Sequence, residues 1–250
     1  MAEKSTIITG RKPLLEALRA GTPLEKIIIR HGLRGAPVDA IRSLAKQKGV
    51  PVVEADAKRF LSLAGESVSQ GVLAIVGETA VAGVEDILLV AKSRGEQPLL
   101  LILDEIEDPH NIGALLRTAE CAGVHGAILL KHHAPPLTST VAKASAGATF
   151  HLPVARVANL AQTITQLKEQ GLWVVGTDVS AEKTFYDYDY SGPTAIVIGS
   201  EGKGMRRLVR EVCDVLVRIP LYGKIESLNA SVAGALVMFE AARGRHGDQR

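Results

Sequence analysis

The chain of 250 residues is 46% apolar and 22% charged, with a formal net charge of +2. This composition suits a soluble globular protein of one large domain or two modest ones, and no apolar run approaches the ~18 residues that span a bilayer. With aromatics at only 4%, extensive base stacking on aromatic side chains is a poor expectation.

No long apolar stretch follows the first five residues, so no signal peptide is expected. Cys121 and Cys213 lie in apolar-rich segments without metal-ligand spacing. They read as buried free thiols of a cytoplasmic protein, and no metal site is expected. The charge is uneven. Residues 1–77 hold 12 Lys and Arg against 7 Asp and Glu, a net of +5. That excess favours a polyanionic partner, although an ordinary solvated surface accounts for it as well.

In chain order, residues 13–19 show helical spacing (Leu14, Leu15, Leu18), with Pro13 suited to a first turn. Residues 26–30 are a short β-branched run and read as a strand. Residues 38–48 return to helical spacing and stop at Gly49. Residues 51–54 form a second strand, Asp56 caps a helix running to Leu63, and residues 71–76 form a third strand. These make a compact α/β unit over residues 1–77. Residues 78–96 read as a linker carrying or leading into a helix at 84–93.

Residues 97–250 alternate again, with stronger strands. The continuous apolar run at 99–103, ending at Asp104, suits a strand covered on both faces. Further strands are expected at 127–130, 151–154, 172–176, 195–198 and 215–219. Helices are expected at 112–122, 138–145, 160–170, 205–211 and 227–243. The pattern predicts an open, mostly parallel sheet with helices on both faces, its ligand site beyond the carboxyl ends of the strands.

Four loops at those ends carry the polar residues. In the first, residues 104–120, Asn111 is a natural helix cap and Arg117 sits inside an otherwise apolar helix; an ion pair with Glu120 would explain Arg117 without function. The second, Gly176-Thr177-Asp178, is a short turn. The third, residues 196–205, has three glycines in six residues, which is neither a P-loop nor the dinucleotide fingerprint. Its Glu201 disfavours an anionic phosphate ligand. In the fourth, residues 219–233, Ser227 or Asn229 could cap the last helix.

Three stretches together resemble the SpoU/TrmH family of RNA ribose 2′-O-methyltransferases, within the SPOUT superfamily. They are Asp108-Pro109-His110-Asn111-Ile112-Gly113 with Arg117-Thr118-Ala119, Ile198-Gly199-Ser200-Glu201-Gly202-Lys203-Gly204, and Ile219-Pro220-Leu221 with Ser227-Leu228-Asn229-Ala230-Ser231. Residues 10–18 and 69–72 resemble the L30e-like RNA-binding substrate domain that recurs in that family. The combination is most similar to the bacterial 23S rRNA guanosine-2′-O-methyltransferase subgroup. Ala230, Gly234 and Met205 depart from its usual residues, as packing changes.

The resemblance implies an α/β fold with a SPOUT-type trefoil knot, although general priors run against knots. It implies S-adenosyl-L-methionine as cofactor, held through Gly176, Thr177, Gly199, Ile219, Leu221 and Leu228. It implies Arg117, Asn111, Glu201, Ser227 and Asn229 as catalytic residues, Arg11 and Lys12 as RNA contacts, and a homodimer made through the knotted domain. The expected partner is structured RNA, 23S rRNA or a ribosomal precursor, with no membrane. Two alternatives are a tRNA ribose methylase and a non-catalytic RNA-binding ribosome-assembly factor.

Overall fold

In a computed structural model, residues 7–64, 69–76, 82–132 and 139–247 are described. The chain divides into two compact units, Met1–Ala80 with Pro136–His151, and Val81–Pro135 with Leu152–Arg250.

The first unit runs β1 (Ile7–Thr9), α1 (Arg11–Ala20), β2 (Leu24–Arg30), α2 (Ala36–Gln47), β3 (Val52–Ala55), α3 (Ala57–Ala64) and β4 (Val72–Val76). Its sheet has the order β1-β4-β2-β3, with β4 antiparallel to both neighbours and β2 parallel to β3. The apolar stripe of α1 (Leu14, Ala17, Leu18) and that of α2 (Val38, Ile41, Ala45) bury against Ile27 and Ile29 of β2, as the helical spacing required. Asp56 accepts from the Arg59 amide at 2.9 Å and so begins α3. The short strand β1 was not expected. Three residues are too few to show a period, and its pairing with β4 is what holds it extended.

The second unit holds α4 (Val84–Arg94), β5 (Leu99–Leu103), α5 (Pro109–Cys121) and β6 (Gly126–Leu130). After α6 (Ser139–Ala144) it resumes with β7 (Val154–Val157), α7 (Leu160–Glu169), β8 (Trp173–Thr177), β9 (Lys183–Thr184), β10 (Thr194–Ile198), α8 (Arg207–Val212), β11 (Val215–Arg218) and α9 (Ala230–His246). The seven strands lie in the order β7-β6-β5-β10-β8-β11-β9, and every pairing is parallel. All residues of β5, β6 and β10 are buried. Each fully buried Leu or Ile side chain contributes about 1.5–3 kcal/mol of transfer free energy, which is why these continuous apolar runs occupy the centre of the sheet.

Several boundaries differ from expectation. The strand expected at 151–154 begins at Val154, after a 3-10 turn at Ala148–Phe150. The segment expected as linker carries α4, whose Ile87 is buried in the second unit's core; residues 77–81 lie outside the described residues. The helix expected at 138–145 is α6, and it packs with the first unit. There Phe150 joins the first unit's core and His151 Nε2 lies 2.9 Å from Glu16 Oε2. Cys121 is exposed rather than buried, because it ends α5 on the side away from the sheet. Cys213 is a half-buried thiol whose pKa burial pushes up to about 12.

At the amino end of the large sheet, Arg245 of α9 donates to four backbone carbonyls, those of Tyr190, Gln97, Pro98 and Gly192. Nearby, buried His125 accepts from the Leu99 amide through Nδ1 at 3.0 Å and meets Glu96 through Nε2 at 2.9 Å. Burial holds its pKa below 6.5, against the opposing pull of the Glu96 carboxylate. The unfolded chain therefore takes up a proton as pH falls through about 6.5 while the folded chain resists it. His125 stabilises the fold fully above that pH, and the contribution is lost as pH drops towards the folded value. The melting temperature is expected to decline as pH falls below about 6.5, with a shallower decline in His125→Gln; equal slopes would exclude His125 as the cause.

Candidate active site

The order of strands in the large sheet reverses between β5 and β10. After β5 the chain passes through α5 to β6 on one side, and after β10 it passes through α8 to β11 on the other. The two loops leave the adjacent carboxyl ends in opposite directions and open a crevice there, the usual place for a ligand in such a sheet. The loop from β11 to α9 supplies the third wall.

Side chains from the three loops meet. Asn111 Nδ2 donates to Glu201 Oε1 at 2.9 Å. Asn229 Nδ2 donates to Asn111 Oδ1 at 2.9 Å and to Glu201 Oε1 at 2.6 Å. The Ala230 amide, first in α9, also donates to Glu201 Oε1, at 3.2 Å. One carboxylate oxygen thus accepts three hydrogen bonds at the positive end of a 17-residue helix, where an anion is favoured. Glu201 Oε2 accepts none from the described residues.

Asn229 does two things at once. Its Oδ1 accepts from the amides of Ser231 and Val232 and caps α9, while its Nδ2 serves the cluster. The helix expected from Ser227 therefore starts at Ala230, and Ser227 is an exposed loop residue without a hydrogen bond to any described residue. Asn111 is not the cap of α5. Asp108 takes that role, accepting from the His110 amide at 2.9 Å, with Pro109 at the first helical position. Asn111 is thereby one turn inside the helix, its side chain free to cross to Glu201.

Arg117 stands apart from this cluster. Its side chain is exposed on α5 and forms no hydrogen bond or ion pair with another described residue. The pair with Glu120 does not form; Glu120 instead receives the Cys121 thiol, at 3.7 Å.

The glycine-rich loop closes on itself. Ser200 and Gly204 exchange backbone hydrogen bonds at 3.0 and 2.9 Å, with Gly202 and Gly204 at positive φ. A β-carbon on Gly199 would lie 2.3 Å from the Gly204 carbonyl carbon and 2.4 Å from the Met205 nitrogen. The bare α-carbon there serves the turn's own closure, which points Glu201 across the crevice. Gly176 lies inside β8, paired on both sides, and its missing side chain makes room for Met205 and Cys213. Thr177 gives its hydroxyl to the Val197 carbonyl at 3.1 Å.

Sequence reasoning passed over two residues, Asp104 and Arg206. Asp104 is completely buried and holds the Arg206 amide and Nε, each at 2.7 Å. An acidic residue directly ending a buried apolar strand was the available signal.

The fourth loop, residues 219–228, forms no backbone–backbone hydrogen bond with a described residue, and residues 221–227 are all exposed. Beside it α5 and α9 form an apolar groove of about 590 Å³ lined by Ala114, Thr118, Val232, Leu236 and Phe239. Gly234 permits this close helix pair, since a β-carbon there would lie 2.3 Å from Leu115 Cδ2. In the first unit Arg11 and Arg30 line a separate pocket of about 470 Å³ with Leu33, Ser69, Gln70 and Gly71, and Lys12 is exposed next to it in sequence.

Residues 98–239 match the model of the SpoU rRNA methylase family, and residues 7–80 match that of the RNA 2′-O ribose methyltransferase substrate-binding domain. The chain is 44% identical to a Bacillus subtilis protein described as a TrmH family tRNA/rRNA methyltransferase, YacO, over 98% of both chains. It is 42% identical to a Staphylococcus aureus protein described as a TrmH family tRNA/rRNA methyltransferase, over 97% of this chain and 98% of that one. Among solved structures, the SpoU methyltransferase AviRb from Streptomyces viridochromogenes with bound AdoMet superposes with a TM-score of 0.80 at 26% identity, covering 95% of this chain and 89% of its own. An AdoMet-bound rRNA methyltransferase from Sinorhizobium meliloti superposes with a TM-score of 0.77 at 26% identity, covering 96% and 87%.

Proposed function

The chain belongs to the SpoU methylase family of RNA methyltransferases, and from that premise we propose that it methylates a ribose 2′-hydroxyl, that of a guanosine in 23S rRNA, using S-adenosyl-L-methionine. The observation that carries the reading is the cluster of Asn111, Glu201 and Asn229 joined by hydrogen bonds at the switch between β5 and β10.

The donor groups fit that cofactor. The backbone groups of residues 219–228 bond no backbone group of the described residues, and an adenine and a ribose are held well by such backbone groups. Ile219, Leu221 and Leu228 line this stretch, and the carboxyl ends of β8 and β10, at Thr177 and Gly199, flank it in the sheet. The bound cofactor supplies an activated methyl group, so the protein's task is to place the ribose hydroxyl and take its proton. Asn111 and Asn229 have no basic site. Arg117 stays protonated and cannot accept a proton; its guanidinium suits an RNA phosphate and a developing alkoxide. Within the cluster only Glu201, through an Oε2 that accepts from no described residue, can act as acceptor. The Ser227 hydroxyl is exposed and bonds no described residue, which leaves it available to substrate.

The first unit supports RNA as substrate. β1, β2 and β3 all run towards one end of its sheet, where α1, α2 and α3 begin. Arg30 closes β2, and Arg11, Lys12, Arg34, Lys58 and Arg59 follow those strand ends. Helix amino ends and cations together suit phosphates. The groove of α5 and α9, with Phe239 53% exposed, supports a two-fold contact between copies of the chain.

The test is methyl transfer from labelled cofactor to 23S rRNA and to tRNA, with the modified position mapped. Transfer to a 2′-oxygen of 23S rRNA is expected, from a protein that sediments at twice the chain mass. Transfer to tRNA alone selects the alternative that the relatives' names also cover, and binding of RNA without transfer selects an assembly factor. Arg11→Glu with Lys12→Glu is expected to lower RNA affinity at least tenfold at moderate salt and leave cofactor affinity unchanged. Unaltered RNA binding would remove this surface from the reading.

A further inference from the structure

We propose that Asp104 and Arg206 form a positioning clamp that sets Glu201 against Asn111 and Asn229. The inference rests on the methyl-transfer reading above and concerns two residues outside the catalytic cluster.

Asp104 is the first residue after β5, and its amide extends the β5–β10 ladder by donating to the Ile198 carbonyl at 2.9 Å. Its carboxylate is fully buried, and both oxygens are occupied: Oδ2 by the Arg206 amide and Oδ1 by Arg206 Nε, each at 2.7 Å. Arg206 is the second residue after the glycine-rich turn. The turn is rigid at its base, because Ser200 and Gly204 are cross-bonded and Gly199 lies against the Gly204–Met205 peptide. Holding residue 206 therefore fixes the whole turn, with Glu201 at its tip.

Asp104 also stands at the root of the other wall. Five residues further on, Pro109 begins α5, which carries Asn111 and Arg117. Between them the chain bends at Glu105, a non-glycine residue at φ 55°, a conformation that persists only where surrounding contacts impose it. Glu105 Oε1 lies 3.8 Å from Arg206 Nε. One guanidinium thus faces both carboxylates at the origin of the two diverging loops. Only Asp104 of this pair is buried, the Arg206 side chain being 37% exposed, and the cost of desolvating the carboxylate offsets much of the pair's attraction. What this pair supplies is a fixed separation between the Glu201 turn and the Asn111 helix.

A residue that acts through Glu201 has a distinctive signature. Arg206→Ala keeps the backbone contact to Asp104 and removes the guanidinium. It is expected to lower kcat about 10- to 100-fold, the scale of a displacement of about 1 Å at a reacting group. In a Glu201→Gln background the same change is expected to cost less than about threefold, since losses within one unit do not add. Arg206→Lys restores the charge and is expected to recover part of the loss. Independent, multiplicative losses would overturn the clamp.

Amide hydrogen exchange reads the same coupling without any turnover. In Arg206→Ala the amides of residues 200–205 and of Ala230, which bonds Glu201, are expected to exchange faster, while those of α7 keep wild-type rates. Faster exchange confined to 200–206, with Ala230 unchanged, would also overturn it. If Arg206→Ala fails to fold, both readouts on Arg206→Lys decide. A wild-type protein that transfers no methyl group, with the exchange result as expected, removes the proposed function and leaves the clamp standing.

Discussion

Arg117→Ala is expected to lower methyl transfer to RNA by roughly 100- to 1000-fold, the usual cost of removing one donor to developing charge. Affinity for S-adenosyl-L-methionine should stay within about twofold. The separation follows from where Arg117 sits. It is exposed, bonds no described residue and lies outside the Asn111–Glu201–Asn229 network, so its loss leaves the crevice unaltered and changes fold stability by no more than about 0.5 kcal/mol. Arg117→Lys keeps a charge but loses the planar fork that grips a phosphate, and an intermediate rate is expected. Turnover and calorimetric cofactor binding measured on the same preparations decide the matter. Normal turnover in Arg117→Ala would take the residue out of the mechanism.

Gly199→Ala is expected to be the most damaging single-methyl change in the second unit. The new carbon would lie 2.3 to 2.6 Å from three backbone atoms of Gly204 and Met205. Backbone cannot swing aside as a flexible side chain can. Relief requires breaking the Ser200–Gly204 bonds at the base of the turn, which carries Glu201 away from Asn111, Asn229 and the Ala230 amide. Overpacking of this kind costs about 1–3 kcal/mol, a fall in melting temperature of several degrees, with turnover largely lost. Gly202→Ala is the control. Gly202 sits at φ +78° with no atom within 4 Å of a β-carbon, so the expected cost is only the ~1–2 kcal/mol of a left-handed residue, with most activity kept. Calorimetric melting and turnover of the two variants side by side test the contrast; equal behaviour would mean that the turn does not hold Glu201.

Packing of the segment ending at His151 with the first unit changes how that unit is best probed. Removing residues 1–77 would leave Phe150 and His151 without the core and the Glu16 partner they have here. Surface charge changes at Arg11 and Lys12 avoid that damage.

Much of the fold was legible from local pattern. Continuous apolar runs marked β5, β6 and β10, because a strand covered on both faces needs no alternation. The spacing of Leu14, Leu18 and of Val38, Ile41, Ala45 marked α1 and α2, because one turn of helix returns every third or fourth residue to the same face. The strand β1 and the two-residue β9 were not legible, since pairing with a neighbour is what keeps so short a segment extended. The caps were half legible. Asp108 and Asn111 are both good capping residues within one turn, and the sequence alone does not choose between them.

By itself the sequence determined which residues are chemically able to serve: the amides of Asn111 and Asn229, the carboxylate of Glu201, the guanidinium of Arg117, and a glycine-rich turn after a buried strand. Their joining was decided by tertiary structure. Asn111 and Glu201 are 90 residues apart in the chain, Asn111 and Asn229 are 118 apart, and Asp104 and Arg206 are 102 apart. Contacts over such separations depend on the order of strands, which places β5 beside β10 and sends their loops apart. Burial then required each of Asp104's oxygens to find a donor, and Arg206 was the residue that the closed glycine turn delivered.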